Sequence, residues 1–162
     1  RWKRWRCISA FEPDTENYAE LAALAQGNMN FYKNALWDSA GDLQFVANGD
    51  FSSHVADKDS IDSVKRTVIH CVDLDSALFN RVPTYIKMDI EGSELEALWG
   101  ARRILREYSP VLAVCAYHTS DHLWQIPLFI HAIQPDYKLF LRRYAEGAFE
   151  LVWYAAPLER IK

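Results

Sequence analysis

Short unbroken apolar runs alternate along this chain with longer stretches in which apolar residues return every three or four positions. The first run, Cys7-Ile8-Ser9-Ala10-Phe11, has the continuous character of a parallel strand buried on both faces. It stops at Glu12-Pro13-Asp14, a helix-start signal, with Thr15 as the candidate cap. Tyr18, Leu21, Leu24 and Ala25 then fall at helical spacing, and Gly27 closes that helix. Met29 to Leu36 reads as the next strand, Asp38 to Asp42 as a turn, and Leu43 to Ala47 as a further strand. Asn48 to Ser63 is polar and contains glycine, which marks the longest loop. Val68 to Leu74 is again a strand, followed by a short helical stretch to Phe79.

The second half continues the alternation. Thr84 to Ile90 reads as a strand and Ser93 to Tyr108 as a helix, with Ser93 and Glu96 at the spacing of a capping box. Ser109-Pro110 ends that helix, because a residue before proline resists the helical region. Val111 to Ala116 is another doubly buried strand, and Pro127 to Ile133 a helix. Lys138 to Tyr144 and Leu151 to Ala155 form a hairpin around Gly147. Strands alternating with helices predict an α/β fold: a mostly parallel sheet, covered on both faces, with a C-terminal antiparallel hairpin at its edge. No repeat, low-complexity segment or linker interrupts the chain, so residues 1–162 read as one domain.

Composition narrows the function classes. The chain has 162 residues, half of them hydrophobic, enough for one real core. A net charge of −4 argues against binding a nucleic-acid backbone, and the basic start (Arg1, Lys3, Arg4, Arg6) reads as a solvated segment. No apolar run is long enough to span a bilayer and no secretory signal is visible, so a cytoplasmic protein is expected. Cys7, Cys71 and Cys115 lie far apart in apolar runs, which fits buried thiols in a reducing compartment rather than a zinc site.

In a sheet of this class, ligands gather at the carboxyl ends of the strands. Glu12 stands at such an end. It reads either as a ligand for the vicinal hydroxyls of a ribose or as an ordinary acid near a helix N-terminus. Lys87 and Asp89 share one face of their strand, where an unpaired charge is costly. Lys87 therefore reads as the structural partner of a nearby carboxylate, and Asp89, at the strand tip, as functional. Glu91 and Glu94 both suit the first turn of the next helix. Glu91, nearer the tip, is the functional choice, and Glu96 goes to capping. His118 ends the Val111–Ala116 run and lies beside Asp89 if the two strands are neighbours. It can take a proton near neutral pH. His118 and His122 have His-x-x-x-His spacing but no evident third ligand, so no metal site is expected.

These segments have a known likeness. "YIKMDIEGSELEALWGARRIL" resembles the "IKxDxEGxExxxLxGA" signature of the FkbM-type family of S-adenosylmethionine-dependent methyltransferases. "ISAFEPDTENYAEL" is similar to its "AFEPxxxNxxxL" stretch, and "NALWDSAGDLQF", "VIHCVDLD" and "SPVLAVCAYH" follow in the family's order. Asp121-His122-Leu123-Trp124 is one residue longer than the family's "DLW", and "PDYKLFLRRYA" and "LVWYA" complete the likeness, which covers nearly all the chain.

The resemblance implies a Rossmann-like class I methyltransferase fold, S-adenosylmethionine as cofactor, and methyl transfer to an oxygen of a sugar or other hydroxylated small molecule. On this chain it implies that Glu12 holds the cofactor ribose and that Asn34 and Ala35 border the adenine. It places Asp89 and Glu91 near the methyl-transfer centre, with His118 facing the acceptor. The family's glycine-rich loop after its first strand has no counterpart: Gly27, Gly41, Gly49, Gly92, Gly100 and Gly147 form no such loop. The expectation is an N-terminally truncated domain, missing its first strand and helix, that is inactive alone and binds the cofactor poorly. Either a gap separates the strands at Cys7–Phe11 and Thr84–Ile90, or they close up and pair. Two rivals stand beside this: a dinucleotide-dependent oxidoreductase, which also uses an acid after its second strand, and a non-catalytic remnant acting as a binding module.

Overall fold

The structure is a computed structural model that describes residues 5–46, 54–55, 66–144 and 150–161. Ten strands and five α-helices follow one another among these residues. They run β1 (Ile8–Phe11), α1 (Thr15–Ala23), β2 (Met29–Tyr32), β3 (Ala35–Leu36), β4 (Gly41–Val46), β5 (His54–Val55), β6 (Arg66–Val72) and α2 (Leu74–Ala77). Then come β7 (Tyr85–Met88), α3 (Glu94–Trp99), α4 (Arg102–Tyr108), β8 (Val111–Cys115), α5 (His122–Ile133), β9 (Tyr137–Arg143) and β10 (Leu151–Pro157). The fold is α/β, as expected, but the sheets are mixed. Among the described residues, β1–β2, β3–β6 and β7–β8 pair in parallel, whereas β8–β10, β9–β10, β4–β5 and β4–β6 pair antiparallel. The expected C-terminal hairpin is the β9–β10 pair; its turn at Gly147 lies outside the described residues, as do Arg1, Lys3, Arg4 and most of the Asn48–Ser63 loop.

The sheets are three: β1-β2, β7-β8-β10-β9 and β3-β6-β4-β5. Met29 to Leu36 is therefore not one strand. It breaks at Lys33-Asn34, and the two halves join different sheets, β2 beside β1 and β3 beside β6. An apolar run carries no mark of such a change of partner. Nor, among the described residues, do β1 and β7 pair with each other: each has one strand neighbour, β2 and β8 respectively, so of the two expected arrangements direct pairing is not the one that forms.

The core lies on one face of the β7-β8-β10-β9 sheet. Met88, Leu112 and Val114 pack there against Leu98, Ile104 and Leu105 of the first two covering helices and Ile126 and Ile130 of α5, all at most 1% exposed. Burial alternates along β7, with Ile86 and Met88 inward and Tyr85 and Lys87 exposed, so this strand is covered on one face rather than two. The helix expected over Ser93–Tyr108 is interrupted at Gly100-Ala101. Gly100 sits so close to the Trp37 carbonyl that a Cβ there would collide with it, and it would also crowd Asp73. Its own carbonyl accepts from the Asp75 amide, and the Asp75 carboxylate accepts from the Arg103 and Ile104 amides at the start of α4.

Helix α5 begins at His122, five residues before the expected start, and holds Pro127 inside it. Proline has no N–H for the carbonyl four residues back. That carbonyl belongs to Leu123, and the indole N–H of Trp153 on β10 donates to it at 3.1 Å. The break is thereby filled and the first turn of α5 is tied to the sheet. The cap of α1 is Asp14, not Thr15: its carboxylate accepts from the Glu16 and Asn17 amides at 2.8 and 3.0 Å. The Ser93–Glu96 capping box does not form, because Ser93 makes no side-chain cap bond. Cys71 and Cys115 are buried as expected, but Cys7 is exposed. No helix among the described residues is long and apolar enough to cross a membrane.

Candidate active site

The carboxyl ends of β7 and β8 lie side by side because the two strands pair in parallel, Met88 opposite Val114. Asp89 follows directly after β7. Its Oδ2 accepts from Lys87 Nζ at 2.9 Å and its Oδ1 from the Tyr117 hydroxyl at 2.9 Å. Burial opposes the Asp89 charge, but bonds from the Lys87, Cys115 and Tyr117 side chains outweigh it and hold the carboxyl below its ordinary range. Lys87 thus has the structural partner its position suggested.

After Ile90 the backbone turns sharply. Glu91 (φ 56°) and Gly92 (φ 97°) are both left-handed, and an L-residue such as Glu91 takes that conformation at a cost. The turn points Glu91 back toward β8, where its Oε2 lies 3.4 Å from His118 Nε2. Asp89 Oδ1 lies 3.7 Å from the same nitrogen. The His118 side chain is only 9% exposed, and Nε2 is buried with no hydrogen-bond partner among the described residues.

The other ring nitrogen is held tightly. His118 Nδ1 lies 2.8 Å from Glu94 Oε1, which also accepts from the Ile90 amide at 3.0 Å. Glu94 Oε2 lies 3.3 Å from His122 Nδ1. Glu94 is fully buried. Desolvation opposes its charge, yet bonds from His118, His122 and the Ile90 amide overcome it and bring the carboxyl down to about 2. Burial likewise opposes a charged His118, but the bond to Glu94 and the charges of Glu94, Glu91 and Asp89 raise its pKa above the ordinary 6.5. Asp89 and Glu91 thus flank one side of the imidazole, with a third, wholly buried carboxylate, Glu94, on the other.

Of the residues singled out in the sequence, Asp89, Glu91 and His118 come together here. Glu94 was read there as a first-turn acid and is instead the centre of the hydrogen bonds. The signal was present: Glu94, Ala97, Leu98, Ala101 and Leu105 recur at helical spacing and are all buried, so Glu94 lies on the core face. Glu12, Asn34 and Ala35 share no hydrogen bond or ion pair with this cluster among the described residues. Glu12 lies at the carboxyl end of β1, where its Oε1 accepts from the Asp14 amide at 2.8 Å; burial is the main reason its pKa is raised. Asn34 Nδ2 donates to the His70 carbonyl at 3.3 Å, and Ala35 packs with Ile69 and Cys71 in a small second core. Trp5, Gln26, Gly27 and Asn28 line a surface cavity near the amino ends of β1 and β2, away from this chemistry.

Known proteins bear on this arrangement. No curated protein sequence matches the chain. A crystal structure of methyltransferase FkbM from Methylobacillus flagellatus KT superimposes with a TM-score of 0.72 and 27% identity over 92% of this chain, which corresponds to 36% of that longer one. The Methyltransferase FkbM domain matches residues 2–144, a span that includes β1, the Asp89–Glu94 turn and His118. With the match running through both strand ends that build the site, the chain belongs to the FkbM methyltransferase domain family.

Proposed function

We propose that this chain forms the acidic half of the active site of an S-adenosylmethionine-dependent O-methyltransferase of the cytoplasm, acting on a sugar or other hydroxylated small molecule. The observation that carries the reading is His118 Nε2: buried, without a hydrogen-bond partner among the described residues, and set between Asp89 and Glu91 where β7 and β8 end. A base in that position can receive the proton of an acceptor hydroxyl. S-adenosylmethionine, when bound, supplies an electrophilic methyl group on a sulfonium sulfur.

The donor set suits that cofactor. Glu12 keeps one oxygen on the Asp14 amide, and a carboxylate has further lone pairs for ribose hydroxyls. Asn34 and Ala35, at the break between β2 and β3, are proposed for the adenine edge; with the Ala35 side chain packed away, its contribution falls to the backbone. His118 takes the acceptor's hydroxyl proton at Nε2. The imidazolium that results is neutralised by Glu94 on one side and by Asp89 and Glu91 on the other. Asp89 is the poorer base, since Lys87 and Tyr117 already hold it in its charged form. Its role is to orient the acceptor. The Rossmann-like sheet of the class I methyltransferases fits the gap between β1 and β7. The proposed occupant is a further strand, with its glycine-rich loop, encoded upstream of Arg1.

Calorimetry with S-adenosylmethionine tests the cofactor, on residues 1–162 and on the same chain extended upstream. Binding only by the extended chain is expected; micromolar binding by residues 1–162 removes the upstream loop from the reading. Binding of a nicotinamide dinucleotide in its place makes the oxidoreductase alternative the better one. Transfer of labelled methyl groups to a panel of saccharides and other hydroxylated compounds tests the reaction. His118→Asn keeps a donor for Glu94 but removes the titrating nitrogen, and should lower transfer by roughly 10²–10⁴-fold. Unchanged transfer would take the proton away from His118.

A further inference from the structure

We infer that Glu94 is a positioning residue for this site: its buried carboxylate holds the N–H of His118 Nδ1, so that Nε2 is the atom left to meet the acceptor. The inference deepens the proposed function, because it assigns a tautomer to the base that function needs.

Three observations support it. Glu94 has no access to solvent, so its carboxylate cannot satisfy itself with water and must use the groups around it. Those groups are the Ile90 amide and His118 Nδ1, both bonded to Oε1, with His122 Nδ1 3.3 Å from Oε2 but not hydrogen-bonded to it. An ionised carboxylate only accepts, so the neutral His118 ring must carry its proton on Nδ1. Secondly, the elements that hold the pair are fixed by the core. Ala97 and Leu98 anchor α3, Ala116 precedes His118, and Trp153 binds the first turn of α5 next to His122. Thirdly, the groups facing His118 divide cleanly between its two nitrogens. Glu94 meets Nδ1, while Asp89 and Glu91, from the β7 end, meet Nε2. The Tyr117 ring lies against the imidazole with its hydroxyl on Asp89, and Lys87 reaches only Asp89. Nothing but Glu94 contacts Nδ1 among the described residues.

Nitrogen-detected NMR of the histidine rings across a pH titration reads both properties without cofactor or acceptor. In the native protein the neutral His118 ring should be the Nδ1–H tautomer. Glu94→Gln keeps shape and an acceptor oxygen but loses the charge; the His118 midpoint should fall by about one pH unit or more, a tenfold loss of proton affinity. Glu94→Asp should recover part of that shift. A merely structural Glu94 would change the melting temperature and leave the midpoint where it was. A second variant, Asp89→Asn with Glu91→Gln, keeps the test decisive if Glu94→Gln does not fold. There the Nδ1–H tautomer should persist and most of the midpoint elevation with it. An Nε2–H tautomer in the native protein, or a midpoint restored to the ordinary value by the double variant, overturns the inference. Neither result depends on methyl transfer, so failure of the proposed reaction leaves this inference standing; an Nε2–H tautomer would withdraw His118 as the base, while the cofactor reading is tested separately by calorimetry.

Discussion

Glu12, just after β1, and Glu94, in the first turn of α3, are the same residue type, and their pKa values move in opposite directions. Glu12 is half-buried at the loosely packed end of β1, before a helix with no buried residue. One amide hydrogen bond does not offset its desolvation, and its pKa rises. Glu94 is more deeply buried, yet its pKa falls to about 2, because two histidines and an amide converge on it. Depth of burial does not decide the charge of a carboxylate; the number and kind of its partners do. The contrast separates two jobs. A carboxylate with unused lone pairs at a permissive edge suits an incoming ligand. One bonded to a histidine and an amide, inside the core, suits holding another side chain still.

The largest test of the contrast is Glu94→Ala. It should remove a partner from two buried histidines and cost about 3–5 kcal/mol, read as a lower denaturant midpoint at constant slope. The pH dependence of stability should carry the same signature. Glu94, depressed from 4.5, adds stability that is present above that value and lost as pH falls toward 2. His118, raised from 6.5, adds stability that is present below that value and lost as pH rises through its folded midpoint. Stability from this pair should therefore be greatest between the two ordinary values, and the Glu94→Ala protein should show a flatter profile in thermal melts.

Gly92→Ala is next in size. A side chain at φ 97° is strained, and the Thr119 hydroxyl stands 3.4 Å from the added Cβ. A loss of roughly 1–3 kcal/mol is expected, together with a displaced Glu91 visible as a changed His118 resonance. At the other carboxylate the effects should be smaller. Asp14→Ala removes the cap of α1 and should cost about 1 kcal/mol in chemical denaturation. Glu12→Gln should move stability by no more than about 0.5 kcal/mol, while weakening S-adenosylmethionine affinity about tenfold in the upstream-extended chain. Should Glu12→Gln destabilise as much as Glu94→Ala, the division between ligand-facing and internal carboxylate does not hold.

How much of this was legible follows the same division. The strand ends could be located because charged residues interrupt apolar runs at Glu12, Asp89 and His118, and a run that stops at a charge is a local signal. Asp89 and His118 lie beside each other because their strands are neighbours, which the alternation of strand and helix suggested. Glu94 was missed because it stands between Ser93 and Leu95 in a polar-looking turn, and only its spacing with Ala97 and Leu98 shows that it faces inward. The break of Met29–Leu36 was not legible, since two short apolar strands in different sheets look like one longer strand. The interruption at Gly100 had a local cue in the glycine, but its cause, the approach of Trp37 and Asp73, is a distant contact. Mixed sheets escaped for the same reason: strand direction is set by partners far away in sequence.

The gap between β1 and β7 has a consequence for handling the protein. Among the described residues each strand pairs along one side only, and neither is built as a natural sheet margin would be. Ile8-Ser9-Ala10-Phe11 carries no charge, and Tyr85-Ile86-Lys87-Met88 has a lysine as its lone gatekeeper, itself engaged by Asp89. Such borders recruit strands from neighbouring molecules. Wherever both remain free, the chain should self-associate with rising concentration, and its solubility becomes a readout of whether that slot has been filled.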